Sequence, residues 1–385
     1  MKDLEEQLSL LQIAKRSPMK DNNTYVLDID AAEPLGGQGD ATIAVLCSGK
    51  SVQLYNKETL VLLQEYDGHP ALLSGVKFAH KNCHLLFSAC SDGTVKCWDT
   101  RLSGREVAQV FTGYPSNVFI SFDVSSNDLV VCAATEKVEE DAFMVFWDAR
   151  YDDKIKSSSK EPLGVYSESH NDDITQVRFH PTNPSRLASG STDGLVNIFD
   201  ISKDNEDDAL VATCNSDSSI SFLGWAGNEH NEIFCLTHDE GFYWWDLAQM
   251  DTDQPITLMK IQDMREAVNG CTIDYVVGGF YHKKVDKLFL VGGTNNGVVH
   301  LLNCAADKVM PISLLQEGHS ATVRSFYWDV TDDSLLTGGE DAQLLLWKAK
   351  AKDSVPKKKE TLKMASSLQQ RLKIHNTKLY GNKQH

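Results

Sequence analysis

Short apolar runs separated by polar turns recur along most of the chain. Runs such as "TVKCWD", "LVNIFD" and "GFYWWD" alternate apolar and polar positions or are apolar on both sides, which is typical of half-buried and fully buried strands. Turn pairs such as Asp92-Gly93 stand between the runs, and a two-residue turn of this kind favours a β-hairpin. The pattern predicts an all-β chain of short antiparallel strands.

Four residue types recur together at fixed spacing: a histidine, a hydroxyl residue, an aspartate and an aromatic residue. The last three are always four and then six residues apart, and the aspartate follows the histidine by 22 or 23 residues. Such self-similarity indicates a repeat architecture. The three complete groups are His69/Ser88/Asp92/Trp98, His170/Ser189/Asp193/Phe199 and His319/Thr337/Asp341/Trp347.

Weaker copies fill the gaps between the complete groups. One copy keeps Asp239 and Trp245 six residues apart, and another keeps Trp147, with Tyr114 where its histidine is expected. The ends of the third strands fall at positions 55, 98, 147, 199, 245, 302 and 347, which suits a unit of about 40–45 residues with loop insertions. We therefore expect seven units of four strands each.

The four residues of one unit carry donors and acceptors that can join into a single hydrogen-bonded chain. A buried chain of this kind is stable only when every polar member is satisfied, so the spacing must be kept. Phe199 has no indole N–H and predicts a shorter network in its unit. We expect these tetrads to have a structural role.

The Gly-His, Asp-Gly and Trp-Asp pairs at these offsets resemble the WD-repeat family, and the resemblance covers about residues 8–348. It implies a seven-bladed β-propeller over residues 1–348. The last unit lacks a fourth strand, because the chain after Trp347 becomes rich in lysine and contains Pro356. Since open sheet edges are unfavourable, we expect residues 9–15, "SLLQIAK", to pair with the last blade and close the ring.

Charge divides the chain into two parts. The net charge is −17, yet residues 348–385 hold eleven Lys and Arg residues against two acidic ones. Residues 349–385 are therefore predicted to form a basic, partly disordered tail, with a basic patch at Lys357, Lys358 and Lys359. Three roles stay open for this tail: a solubilising segment, a nuclear import signal, or a contact with RNA or an acidic protein.

The cysteines and the N-terminal segment indicate the compartment. Nine cysteines are scattered through strand-like runs without a C-x-x-C pair, which predicts buried thiols in a reducing compartment, no metal site and no cofactor. No run approaches the roughly 18 apolar residues of a membrane span, and the N-terminal segment is acidic where a secretory signal is basic. We expect a protein of the nucleus and cytoplasm, without membrane contact and monomeric outside its complex.

Recognisable catalytic motifs are missing from the sequence. The segment "GGTNNGV" lacks the Gly-Lys-Ser/Thr of a phosphate-binding loop. His238, Asp239 and Glu240 have no nucleophile beside them and are expected at a turn, with Asp239 in a structural role. The aromatic run at residues 242–245 is expected in the core rather than on a base-stacking surface. We therefore expect a non-catalytic scaffold that binds other proteins.

Two consecutive units end in the same motif, Trp98-Asp99-Thr100-Arg101 and Trp147-Asp148-Ala149-Arg150. Arg101 and Arg150 are therefore expected side by side on one face of the propeller. The pair resembles the W-D-x-R motifs of propellers that dock onto the damaged-DNA-binding adaptor of cullin ubiquitin ligases, which implies a substrate-recognition subunit. In the alternative interpretation each arginine only pairs with the aspartate of its own motif.

Two functions of different classes remain. The arginine pair favours the ubiquitin-ligase subunit, whereas the basic tail favours an assembly or RNA-associated factor in ribosome or chromatin work. Acidic inserts at residues 136–141 and 202–209 are expected to be solvated loops, or alternatively a docking rim for a basic partner.

Overall fold

The computed structural model describes residues 2–21, 23–32, 41–102, 106–112, 118–151, 158–248, 255–305 and 308–350. These residues form seven sheets, six of four strands and one of five. The sheets are the blades of a seven-bladed β-propeller. The predicted all-β fold class and the predicted number of units are thereby confirmed.

The strands follow one another through the blades in chain order, with one strand, β1 (Leu11–Pro18), ahead of the first blade. Blade 1 consists of β2 (Val26–Ala32), β3 (Thr42–Cys47), β4 (Ser51–Asn56) and β5 (Leu62–Asp67). Blade 2 consists of β6 (Leu73–Phe78), β7 (Leu85–Cys90), β8 (Thr94–Asp99) and β9 (Val107–Phe111). Blade 3 consists of β10 (Phe119–Val124), β11 (Val130–Thr135), β12 (Met144–Asp148) and β14 (Gly164–Tyr166). Between β12 and β14 the chain forms a short strand, β13 (Ser158–Lys160), which pairs with β9 and so extends blade 2.

The remaining four blades complete the ring. Blade 4 consists of β15 (Gln176–Phe179), β16 (Arg186–Gly190), β17 (Leu195–Asp200) and β18 (Leu210–Asn215). Blade 5 consists of β19 (Ile220–Ala226), β20 (Glu232–Thr237), β21 (Phe242–Asp246) and β22 (Ile256–Ile261). Blade 6 consists of β23 (Tyr275–His282), β24 (Lys287–Gly293), β25 (Val299–Ala305) and β26 (Lys308–Leu315). Blade 7 consists of β27 (Val323–Asp329), β28 (Ser334–Gly339), β29 (Gln343–Ala349) and β1.

Blade 7 combines strands from the two ends of the propeller. β1 runs antiparallel to β29, with Leu11 opposite Ala349 and Pro18 opposite Gln343. The strand expected at residues 9–15 lies instead at residues 11–18, because Ser9 ends a short helix, α1 (Lys2–Ser9). The repeat pattern did not predict this helix.

Helix α1 packs against the seam between blades 6 and 7. Leu4 and Leu8 are buried in the same apolar cluster as Leu11, Phe289 and Trp347. The helix therefore adds core contacts next to the strand that pairs with β29. Two single-turn helices lie elsewhere, α2 (Glu206–Ala209) ahead of β18 and α3 (Met264–Ala267) after β22.

Seven apolar clusters fill the interfaces between neighbouring blades. Between blades 2 and 3, Phe87 and Phe111 of one blade pack against Phe119 and Trp147 of the other. Large aromatic side chains bury much area at such contacts, so the aromatic residue near the end of the third strand holds its blade against the preceding one, and Leu302 takes this place in blade 6. The first strands of neighbouring blades contact one another around the axis.

The turns between second and third strands have a residue in the left-handed region after the aspartate. Gly93 and Gly194 have φ angles of 78° and 86°, and Ala342 has φ of 57° at the equivalent place. Glycine adopts this conformation at little cost. A hairpin is therefore present at Asp92-Gly93 as predicted, but its connection has three residues, Ser91–Gly93, rather than two, because Cys90 pairs with Thr94.

The predicted basic tail falls almost wholly outside the part of the chain that is described. The basic patch Lys357, Lys358 and Lys359 lies among the residues left undescribed, as does Tyr114. No helix in the described ranges is long and apolar enough to cross a membrane.

Candidate functional site

In blade 7 all four members of the repeated group are joined. His319 Nε2 lies 2.8 Å from Thr337 Oγ1, and Trp347 Nε1 donates to the same oxygen at 2.8 Å. On its other side His319 Nδ1 lies 3.0 Å from Asp341 Oδ1. Burial tends to raise the pKa of Asp341, but the hydrogen bond with His319 helps to hold that pKa below its usual value. This buried chain fixes the turn after β28 to the loop before β27.

In blade 4 the network is shorter, as the sequence predicts. His170 Nε2 lies 2.7 Å from Ser189 Oγ, and His170 Nδ1 lies 2.9 Å from Asp193 Oδ2. Phe199 is fully buried in the interface with blade 3 and cannot donate to Ser189. The chain of hydrogen bonds therefore ends at the serine.

Blade 2 departs from the expected tetrad. His69 Nε2 lies 2.8 Å from Ser88 Oγ, which also accepts from Trp98 Nε1 at 2.8 Å. Asp92, however, is exposed, and no hydrogen bond joins it to His69; among the described residues His69 Nδ1 has no partner, although it is buried. The expectation that Asp92 completes this network is wrong.

The physical reason lies in the neighbours of Asp92. Asp92 Oδ1 accepts from the Thr94 amide at 3.0 Å and from the Thr94 hydroxyl at 2.7 Å. At the equivalent place the other two blades have Leu195 and Gln343, which have no hydroxyl. Cys90, at the end of β7, is a second close neighbour of the Asp92 carboxylate. The donor atoms of His69, Cys90 and Asp92 all lie within 4.8 Å of one another.

Arg101 and Arg150 lie directly after the third strands of adjacent blades. Arg101 Nε donates to Asp99 Oδ1 at 2.8 Å, and Arg150 Nε donates to Asp148 Oδ1 at 2.9 Å. In both motifs Nη2 donates to the second carboxylate oxygen, so each pair is bidentate. The hydrogen bond with the arginine lowers the pKa of Asp99 and that of Asp148. The predicted pairing with the local aspartates is therefore present.

Both guanidinium groups stay accessible despite these pairs. The side chain of Arg101 is 56% exposed and that of Arg150 is 73% exposed. Because the blades share one strand order, both residues lie on the face that carries the connections between third and fourth strands. Gln109 of β9 donates to the Arg150 carbonyl at 2.8 Å, which ties blade 2 to the second motif.

An exposed leucine accompanies each arginine. Leu102 follows Arg101 and is 41% exposed, and Leu129 is 46% exposed. The Leu129 carbonyl accepts from the Ala149 amide at 2.9 Å, which places this leucine beside the second motif. We call Arg101, Leu102, Leu129 and Arg150 the arginine face. It combines two fixed cations with apolar surface.

The residues considered for acid–base chemistry have structural partners instead. Asp239 Oδ2 accepts from Ser218 Oγ at 2.6 Å, and Glu240 Oε2 accepts from the Val276 amide at 2.6 Å. His238 is exposed. In the aromatic run, Phe242, Tyr243 and Trp245 are buried, which confirms the expectation that this run belongs to the core.

The two acidic inserts differ in their contacts. Glu206 in the second insert accepts from the Ser167 amide at 2.7 Å and from the Glu168 amide at 3.0 Å. This glutamate therefore organises the loop before blade 4 rather than forming a docking rim. In the first insert the Lys137 amide donates to Asp173 Oδ1 at 2.7 Å, while residues 136–141 are exposed.

The chain is similar to known proteins over most of its length. Residues 60–99, 160–200 and 311–348 match the family model "WD domain, G-beta repeat", and these are the regions of the three complete tetrads. The WD repeat-containing protein 89 homolog of Dictyostelium discoideum is 28% identical over 334 residues, covering 85% of this chain and 83% of that protein. The WD repeat-containing protein GTS1 of Arabidopsis thaliana is 31% identical over 328 residues, covering 80% and 78%. An uncharacterized WD repeat-containing protein of Saccharomyces cerevisiae is 33% identical over 277 residues, covering 69% and 64%.

Proposed function

The chain belongs to the WD-repeat family, and we propose that the arginine face is the surface through which it binds its principal protein partner. WD-repeat proteins generally act as protein-interaction scaffolds, and their propellers are typically non-enzymatic. One observation supports the proposal above all. The third strands of two adjacent blades are followed by the same bidentate Arg–Asp pair, with an exposed leucine beside each.

The pairs prepare the arginines for binding. Each aspartate accepts hydrogen bonds from Nε and Nη2, which form one edge of the guanidinium group. These bonds fix the direction of the arginine side chain before a partner arrives. A side chain already held in its bound conformation loses less entropy on binding. The outer edge of the fork can then grip carboxylate or carbonyl oxygens of the partner, while Leu102 and Leu129 contact its apolar groups.

We propose more specifically that this partner is the damaged-DNA-binding adaptor of a cullin ubiquitin ligase. The protein is then a substrate-recognition subunit of that ligase. The doubled W-D-x-R motif supports this proposal through its resemblance to adaptor-binding propellers. The exposed position of both arginines is compatible with such docking. The protein is proposed to work in the nucleus and cytoplasm, where this machinery is found.

The experiment is affinity purification of the full chain from cells, comparing the wild type with the double variant Arg101→Ala/Arg150→Ala. The double variant is expected to lose the adaptor and to remain folded, which circular dichroism checks. Loss of the exposed Arg150 should barely change the melting temperature. Loss of Arg101 should lower it measurably, because the Asp99 carboxylate is only 3% exposed and loses its guanidinium partner. Arg265→Ala is the matched control, since Arg265 Nε also donates to an aspartate two residues earlier, Asp263, at 2.8 Å.

The control is expected to retain the adaptor. Recovery of the adaptor by the double variant at the wild-type level would overturn the docking surface. If the wild-type protein does not recover the adaptor, the ligase role is excluded. If the double variant loses a different partner, the arginine face is a docking surface for another complex.

A second candidate, an assembly or RNA-associated factor, is favoured by the concentration of positive charge after residue 348. Its test is Lys357→Gln/Lys358→Gln/Lys359→Gln in the full chain. Reduced recovery of RNA, with a steep dependence on salt, or a shift toward the cytoplasm would support a role of the patch in RNA binding or import. If RNA recovery and cellular location are both unchanged, the tail serves only as a solubilising segment.

A further inference from the structure

Three metal-binding side chains from separate positions in the sequence meet on the face opposite the arginines. They are His69 in the loop before β6, Cys90 at the end of β7 and Asp92 in the following turn. One donor atom of each lies within 4.8 Å of the others. His69 and Cys90 are buried and Asp92 is exposed, so the group is reachable from solvent on one side only.

Blade 2 differs from its two sister blades at this point. His170 and His319 each direct Nδ1 to an aspartate, at 2.9 Å and 3.0 Å, whereas the buried Nδ1 of His69 has no hydrogen-bond partner in the described structure. The place of Cys90 is taken by Ser191 in blade 4 and by Gly339 in blade 7. The thiol and the unpartnered nitrogen therefore occur together in one blade.

Neighbouring groups hold two of the three ligands in place. His69 Nε2 is hydrogen-bonded to Ser88 Oγ, and Ser88 is in turn fixed by Trp98. Asp92 Oδ1 is held by Thr94, which leaves the second carboxylate oxygen available as a ligand. Hydrogen bonds of this kind orient the ligands in protein metal sites.

The chemistry of the three donors selects the ion. Imidazole, thiolate and carboxylate together are ligands of zinc rather than of magnesium or calcium, which prefer oxygen. One thiolate and one carboxylate would balance the charge of Zn²⁺.

We propose that His69 Nδ1, Cys90 Sγ and Asp92 Oδ2 form a zinc site on blade 2, with a fourth position open to water or to a ligand from a partner. The site is separate from the arginine face and does not depend on the proposed docking function. Zinc binding replaces the thiol proton of Cys90, which is released to solvent. The scattered cysteines do not predict this site, because its ligands lie 21 and two residues apart in the sequence.

The test uses the full-length protein, purified under reducing conditions, stripped of metal with a chelator, and titrated with Zn²⁺ against a chromophoric competitor and separately with Co²⁺. We expect one equivalent to bind tightly and the cobalt form to show thiolate-to-metal charge transfer and four-coordinate visible bands. Cys90→Ser should weaken zinc binding at least tenfold and abolish the charge-transfer band. Cys83→Ser, which alters a half-buried thiol outside the group, should leave both unchanged.

Melting temperature supplies the second readout, because a ligand that binds the folded state stabilises it. Zinc should raise the melting temperature of the wild type and of Cys83→Ser but not that of Cys90→Ser. Asp92→Asn, at an exposed position that tolerates substitution, should weaken binding while keeping the thiolate band. The proposal is overturned if the wild type binds no stoichiometric zinc, or if Cys90→Ser or Asp92→Asn binds zinc as tightly as the wild type.

Discussion

The ammonium group of Lys57, just after the third strand of blade 1, lies 2.9 Å from Asp332 Oδ1 in the first turn of blade 7. It also contacts Asp329 at the end of β27, and the side chains of Lys57 and Asp329 are both only 3% exposed. The buried ion pair therefore links the first blade to the last, on the opposite side of blade 7 from the seam that α1 covers.

Replacement of Lys57 by methionine is expected to destabilise the propeller by about 3–5 kcal/mol, because it leaves the Asp329 carboxylate buried without a cation. Urea unfolding measures the change. The double variant Lys57→Met/Asp329→Asn should recover part of the loss. Lys20→Met is the control, since the Lys20–Glu65 pair is exposed and should contribute about 0–1 kcal/mol; equal losses at Lys57 and Lys20 would contradict the role of the buried pair.

Asp332 makes this seam sensitive to acid. Burial tends to raise the pKa of Asp332, but the Ser334 hydroxyl and the ammonium groups of Lys57 and Lys348 lower it from 3.8 to about 2. A carboxylate whose pKa is depressed by folding stabilises the protein above its unfolded pKa, and that contribution is lost as the pH falls through the folded pKa. The difference in melting temperature between wild type and Asp332→Asn should therefore shrink between pH 4 and pH 2. A difference that stays constant over this range would contradict the assignment.

The N-terminal segment is expected to stabilise the whole ring. Leu8→Ala removes a fully buried side chain from the cluster between blades 6 and 7 and should cost about 2–5 kcal/mol. Deletion of residues 1–15 should cost more, because most of the strand paired with β29 is lost as well. Thermal melting checks both changes, with the exposed Ser9→Ala as control. A deletion variant that melts with the wild type would show that β1 contributes nothing to the last blade.

The tetrads should differ in energy because their contacts differ. Asp341→Ala removes the partner of the buried His319 Nδ1 and should cost about 1–3 kcal/mol. Asp92→Ala should cost less in metal-free protein, because Asp92 is exposed and makes no bond to His69. Asp239→Ala, at an exposed aspartate bound to Ser218, serves as the reference. Chemical denaturation of the three variants measures the order, and an Asp92 variant as destabilised as Asp341→Ala would disprove the difference.

Local pattern was enough to predict the number of blades and the place of the third strand in each. Alternation of side chains between the two faces of a strand and the fixed turn after the aspartate are properties of neighbouring residues, so the sequence shows them directly. The same holds for the third-strand aromatics, since a large apolar side chain at a fixed strand position has to be buried. The shortened network at Phe199 followed from the missing donor alone.

Tertiary structure decided the contacts that join distant or competing groups. His69 and Asp92 have the same separation in sequence as His170 and Asp193, yet only the second pair is bonded, because the Thr94 amide and hydroxyl both donate to the Asp92 carboxylate. Lys57 and Asp329 meet only because the ring brings the first and last blades together. Periodicity encodes which face of a strand is buried, but the partner of a buried polar group depends on which donors and acceptors the closed fold places within reach.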